Sequence, residues 1–188
     1  MENKHLIWKE ESRRNVFTCP VFAIRESLCR SPEQELKPFT VMDAPDWAIV
    51  IPLIETPGGK AFVMVRQWRH GTQELSLEFP GGVFEPGEEG LQAAARELRE
   101  ETAYTPGKIE KLGEMAPNPA LMSNRVHFFL AGDLSPLEKQ DLDDDEYVDT
   151  EIVPQGEVFQ KMGRAPYIHA LMASALALYW QKTGVFPA

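Results

Sequence analysis

Apolar and polar positions recur along this chain with different spacings, and each spacing predicts its own kind of element. Residues 16–19 and 21–24 are short runs of β-branched and aromatic residues, set off by polar stretches such as 12–15 that predict turns. Residues 31–34 read as a loop and 39–42 as the start of another strand, which makes a small antiparallel sheet out of the first 44 positions. Residues 46–54, DWAIVIPLI, form a nearly continuous apolar run, as a strand buried on both faces requires. A turn at 56–59 predicts a return strand over 61–66, and the polar-aromatic segment Gln67-Trp68-Arg69-His70-Gly71 follows. Residues 74–79 alternate, with Leu75, Leu77 and Phe79 on one side and Glu74, Ser76 and Glu78 on the other. Strands are then expected over 108–115, 126–131 and 147–153, and helices over 155–162 and 167–182. The last helix should pack through Leu171, Ala175, Leu178 and Trp180. Strands and helices mix without a strict alternation, which points to an α+β fold built on a mixed sheet.

Composition narrows this picture. The 188 residues suit one well-buried domain, and a net charge of −10 argues against non-specific binding to nucleic acid or to an anionic membrane. An anionic substrate would need a metal ion or local arginines to approach. Cys19 and Cys29 form no recognisable framework and are expected as reduced thiols. The first 15 residues contain no apolar core of a signal peptide, and the apolar stretch around 167–180 is too short to span a bilayer. A cytoplasmic enzyme is the expectation.

The chemistry concentrates in residues 81–104. After a glycine pair and a Pro86-Gly87 turn, the chain becomes rich in Ala, Leu, Glu and Arg, all strong helix formers. Leu91, Ala94, Ala95 and Leu98 predict the buried stripe, while Glu97, Glu100 and Glu101 fall at i, i+3 and i+4 on a different face. Carboxylates so placed repel one another by roughly 0.2–0.5 kcal/mol per pair on an exposed helix. A divalent cation with oxygen ligands would relieve that repulsion. A glutamate-rich face alone is most often only solvated surface. Glu88, near the predicted start of the helix, has a plain reading as a partner of the helix dipole.

Gly82, five residues, Glu88, seven residues, then Arg96-Glu97-Leu98-Arg99-Glu100-Glu101 resembles the signature box of the Nudix hydrolases. Ala103 departs from that pattern, where the family usually carries Gly, and so does Tyr104, where it carries an aliphatic residue. The resemblance implies an α/β/α sandwich, a Nudix domain over 45–188, and a strand-rich N-terminal extension over 1–44 that helps to build a homodimer. It also implies Mg²⁺, or Mn²⁺, held by Glu97, Glu100, Glu101 and the backbone carbonyl of Gly81. Arg96 would fix the geometry of the cluster by pairing with Glu100. A further carboxylate is expected from the acidic run 141–146, where Glu146, just before a predicted strand, is the chosen candidate among its aspartate neighbours.

The flanking segments resemble the ADP-ribose pyrophosphatase and nucleoside-diphosphate-sugar branch of that family. Gln67-Trp68-Arg69 and Glu78-Phe79-Pro80-Gly81-Gly82 match, and Pro119 stands 15 residues beyond Tyr104, as a proline does in that branch. By this resemblance Arg69 contacts the diphosphate, Glu78 the polar groups of the substrate, and Pro119 lines the site. Trp8, Trp47 and Trp68 are candidates for stacking on a base, although core packing or interface burial is the better explanation for any one of them. The implied substrate is ADP-ribose, cleaved to AMP and ribose 5-phosphate. GDP-mannose, another sugar nucleotide or a modified nucleoside triphosphate are alternatives within the class. A non-catalytic domain that senses nucleotides or binds RNA is the alternative outside it.

Overall fold

The computed structural model describes residues 3–184, which divide into two units. Residues 1, 2 and 185–188, the outermost positions of the two expected domains, lie outside the described residues. The first unit runs to Asp46 and takes in residues 116–125. Its strands β1 (Lys9–Thr18), β2 (Ala23–Arg30) and β3 (Leu36–Asp43) pair antiparallel in the order β1-β2-β3. The polar stretch expected to turn, Ser12 to Asn15, instead continues β1 opposite Leu28 to Arg25, with a register shift on either side of it. Cross-strand ion pairs take the place of a buried face: Arg14 with Glu26, and Arg25 with both Glu10 and Asp43. The chain reverses one step later, where the Cys19 N–H donates to the Phe22 carbonyl. Residues 116–125 join this sheet at Met42, whose N–H donates to Leu121 and whose carbonyl accepts from Ser123.

The second unit is built on a mixed sheet. Its strands are β4 (Trp47–Thr56), β5 (Gly59–Arg69), β6 (Glu74–Glu78), β7 (Tyr104–Met115), β8 (Val126–Pro136) and β9 (Val148–Pro154). They lie in the order β6-β5-β4-β8-β7, with β9 on the other edge of β5, and β4 runs parallel to β8. The apolar run in β4 sends its side chains both ways. Ala48 and Val50 meet helix α1 (Gly90–Thr102), whereas Ile49 and Ile51 enter the larger core shared with α2 (Gln155–Lys161) and α3 (Ala170–Thr183). This is the expected α/β/α sandwich. Small residues meet at this interface, Ala48 and Ala131 from the sheet and Ala93 and Ala94 from the helix, packed with Val50, Leu98 and Phe129.

Three local readings change. In α1 the buried stripe is Ala93, Ala94, Glu97, Leu98, Glu101 and Thr102, while Leu91 is exposed and Ala95 half-buried. Two carboxylates thus share the buried face, because a stripe of small apolar residues is only part of what the sheet can cover. In α3 the buried residues are Met172, Ala175, Leu176 and Tyr179, and Trp180 is exposed. The strand expected from 108 begins at Tyr104, so Pro106 and Gly107 lie inside β7, an edge strand that tolerates a missing N–H. Among the described residues no helix is long and apolar enough to cross a membrane.

Helix α1 ends at Ala103, whose φ of 58° and ψ of 34° are left-handed and whose N–H donates to the Arg99 carbonyl. An L side chain there is strained where glycine would not be. Ala103→Gly is therefore expected to stabilise the protein by about 1 kcal/mol, or to raise Tm by about 2–4 °C in calorimetry. An unchanged or lower Tm would show that Ala103 is not strained.

Candidate active site

Residues 80–82 run beside β4. The Ala48 N–H donates to the Gly82 carbonyl and the Val50 N–H to the Pro80 carbonyl, both at 2.9 Å. The alternation of such a strand-like segment turns the intervening Gly81 carbonyl to the opposite side. A side chain on Gly81 would meet fixed backbone at the Ala48 carbonyl, and one on Gly82 would displace the Glu97 carboxylate. The two glycines therefore let bare backbone sit between a core strand and the acidic face of α1. Gly81 N–H donates to Glu101 Oε2 at 2.8 Å, which ties that backbone to the helix.

Glu97 and Glu101 are 7 % and 3 % exposed, respectively, so burial is the chief influence on both. Burial pushes the Glu101 carboxyl up to about 8, against the Gly81 hydrogen bond, and the charges of Glu97 and Glu146 add to the rise. Glu97 is pushed up to about 7 by burial, with Arg96 opposing and Glu100 and Glu146 reinforcing. Buried carboxylates that resist ionisation are an unfavourable arrangement unless a cation joins them.

Arg96 is the internal cation of the cluster. Its Nε and Nη2 grip both oxygens of Glu88 at 2.9 and 3.0 Å, and Nη1 reaches Glu97 Oε1 at 2.9 Å and Glu100 Oε2 at 3.0 Å. Nη2 also donates to the Val83 carbonyl at 3.1 Å, which anchors the loop before the helix. Glu88 is thus a partner of Arg96 rather than of the helix dipole; the helix is capped by Glu89 through a reciprocal pair with Gln92. Among the described residues no three His, Cys, Asp or Glu side chains already form a ligand set, since Glu97 and Glu100 turn to Arg96 and Glu101 to Gly81. The donors themselves are the hard oxygens that suit a divalent cation.

The acidic loop is stitched to the C-terminal end of α1. Leu137 N–H donates to the Ala103 carbonyl and Asp141 N–H to that of Glu100. The Glu101 carbonyl accepts from Gln140 Nε2 and from Thr150 Oγ1, and Gln140 also donates to the Val148 carbonyl at 3.2 Å. These bonds satisfy carbonyls that a helix end leaves open. They also hold Glu146 near enough for its charge to act on Glu97 and Glu101.

On the other side of Gly81, Arg69 and Glu78 form a two-pronged pair, Nε to Oε1 at 2.9 Å and Nη2 to Oε2 at 2.6 Å. Burial alone would raise the Glu78 carboxyl, but Arg69 outweighs it and holds it below the ordinary range. A cavity of about 210 Å³ is lined by this pair with Trp47, Gly81, Gly82 and His169. A second one of about 440 Å³, on which Trp68 lies, shares Arg69, Glu78 and His169 as its wall.

The model of the NUDIX domain matches residues 45–173, more than half of the chain. The chain belongs to the Nudix family. The ADP-ribose pyrophosphatase of Bacillus subtilis (strain 168) is 43% identical to it over 98 residues, 52% of either chain. The methanol dehydrogenase activator of Bacillus methanolicus is 39% identical over 88 residues, 46% of this chain and 48% of that one. The chain thus spans about half the length of the curated relatives it matches. A crystal structure of an ADP compounds hydrolase superposes with a TM-score of 0.82 at 20% identity, over 97% of this chain and 98% of that one, which shows the fold.

In Nudix terms, the structure gathers Gly81, Arg96, Glu97, Glu100, Glu101 and Glu146 around one end of α1, and Arg69 with Glu78 beside Gly81. Pro119 belongs to the first unit, on the turn Asn118 to Met122. Trp8 is also in that unit, packed edge-on against Phe39. Three contributors escaped the sequence reading. Gln140 stands just before the acidic run 141–146, and Ser76, which helps to lower the Glu78 carboxyl, lies on the polar side of β6 although it is fully buried. His169 was placed within a packing helix, whereas it is the N-cap of α3. A polar residue before an apolar run was its one signal, and histidine is a weak one.

Proposed function

We propose that this Nudix protein hydrolyses the pyrophosphate bond of a nucleoside diphosphate linked to a sugar, with ADP-ribose giving AMP and ribose 5-phosphate. The observation that carries this reading is the pair of buried carboxylates, Glu97 and Glu101, against the side-chain-free backbone of Gly81 and Gly82. The similarity to an ADP-ribose pyrophosphatase supports the choice of substrate. Mg²⁺, or Mn²⁺ in its place, would be held by Glu97, Glu100, Glu101 and the Gly81 carbonyl. When bound, such an ion neutralises phosphoryl oxygens and makes water a better nucleophile.

The chain's own residues do the rest. Arg96 positions Glu97 and Glu100 and keeps them from turning away into solvent. Arg69, already beside Glu101 in the field of the cluster, offers its guanidinium to the diphosphate, and Glu78 keeps that guanidinium in place. Water attacks one phosphorus, the bridging P–O bond breaks, and the proton of the water passes to the Glu146 carboxylate. A panel of nucleotide sugars and nucleoside triphosphates assayed with Mg²⁺, with products identified by mass, checks this. AMP from ADP-ribose should exceed every other product; equal turnover across the panel, or none of ADP-ribose, would sink the assignment.

A further inference from the structure

His169 faces the substrate cavity with one nitrogen already committed. Its Nδ1 accepts the Leu171 N–H at 3.2 Å, the bond that caps α3, so the neutral ring carries its proton on Nε2. Burial lowers its proton affinity, partly offset by Glu78, which favours that neutral form. Nε2 lies 3.9 Å from Glu78 Oε2, too far for a hydrogen bond between them. A donor and a carboxylate acceptor thus stand side by side on the wall of the cavity that also contains Gly81, Gly82 and Trp47.

Few ligand groups satisfy both. A phosphate oxygen would accept from His169 but meet the charge of Glu78. A carbonyl would accept from His169 but have no proton to offer Glu78. A hydroxyl both donates and accepts. Two hydrogen bonds of about 2.8 Å from one oxygen span a 3.9 Å gap at roughly a right angle, close to the natural geometry of a hydroxyl.

We propose that His169 and Glu78 together bind one sugar hydroxyl of the substrate, His169 Nε2–H donating to its oxygen and the hydroxyl donating to Glu78 Oε2. His169 is then a specificity residue, which reads the sugar while Arg69 holds the diphosphate. This rests on the nucleotide-sugar reading above. Glu78 cannot turn to meet other groups, because Arg69 grips both of its oxygens. The pair is a fixed gauge for a hydroxyl at one place.

The test uses ADP-ribose and analogues that lack one ribose hydroxyl at a time. On the wild-type protein one analogue should lose about 10- to 100-fold in kcat/KM, the worth of a hydrogen bond to a charged acceptor. In His169→Asn, whose side-chain oxygen can still cap α3, the same analogue should lose no more than about 3-fold relative to ADP-ribose. His169→Ala should show the same coupling whatever its effect on stability, since both substrates are compared on one folded sample. If wild type turns over ADP-ribose but the discrimination among analogues is equal in wild type and both variants, the role of His169 is wrong and the functional reading stands. If wild type neither binds nor hydrolyses ADP-ribose, both fall together.

Discussion

Glu101→Gln is expected to lower kcat by roughly 10²–10⁴-fold with Mg²⁺ present, and Glu97→Gln to do so by a comparable factor. Each change keeps the shape of the side chain and removes a charge that a metal ion would use. The same variants should remain folded, and the direction of the pKa shift says why. The Glu101 carboxyl titrates at about 8 in the folded chain, above its ordinary value of 4.5. Between those two values the folded state holds more protons than the unfolded one, so metal-free stability falls as pH rises through that window. Glutamine never has to ionise. Metal-free Glu101→Gln should therefore match or exceed wild type in thermal stability at pH 9, with a flatter dependence between pH 5 and pH 9. A folded variant that kept full metal-dependent turnover would show that these glutamates are not the metal ligands.

Arg96→Met acts on stability instead. The guanidinium is shared among Glu88, Glu97 and Glu100, whose side chains are 11%, 9% and 23% exposed. Removing it leaves three poorly solvated carboxylates side by side, and breaking such an arrangement from one side costs about 3–5 kcal/mol. The urea midpoint should fall accordingly, and the loss should shrink at low pH, where the glutamates can take up protons. Arg96→Lys should recover only a small part, because a single ammonium cannot grip both oxygens of Glu88 and still reach Glu97 and Glu100. A destabilisation below 1 kcal/mol would mean that Arg96 is not the cation that holds the cluster.

Much of this site is legible in sequence because its parts are local. Helix α1 brings Arg96, Glu97, Glu100 and Glu101 together through spacing alone, and the glycines before it announce a close approach of backbone. What the spacing could not give was orientation. Leu91 fits a buried stripe as well as Ala93 does, and only packing against the sheet decides which face turns inward. The same limit applies at β6, where Ser76 and Glu78 look like solvent-facing positions yet are buried, Ser76 against the Pro166 carbonyl and Glu78 between Arg69 and His169. Gln140 and His169 depend on contacts across tens of residues, with no periodicity to mark them. The first unit was misread at Ser12 to Asn15 for the opposite reason: a strand exposed on both faces has no apolar period to show.

The hydrogen bonds that join the acidic loop to the end of α1 have a consequence for motion. Surface loops and helix ends ordinarily open on their own, each at little cost. Here the carbonyls of Glu100, Glu101 and Ala103 are closed by donors from Asp141, Gln140 and Leu137. The last turn of the helix cannot fray without releasing the loop, nor the loop swing out without baring the helix end. Glu101 and the segment that carries Glu146 thus exchange with solvent as one cooperative piece. The main-chain positions of Glu101 and of the loop that leads to Glu146 are in this way tied to each other.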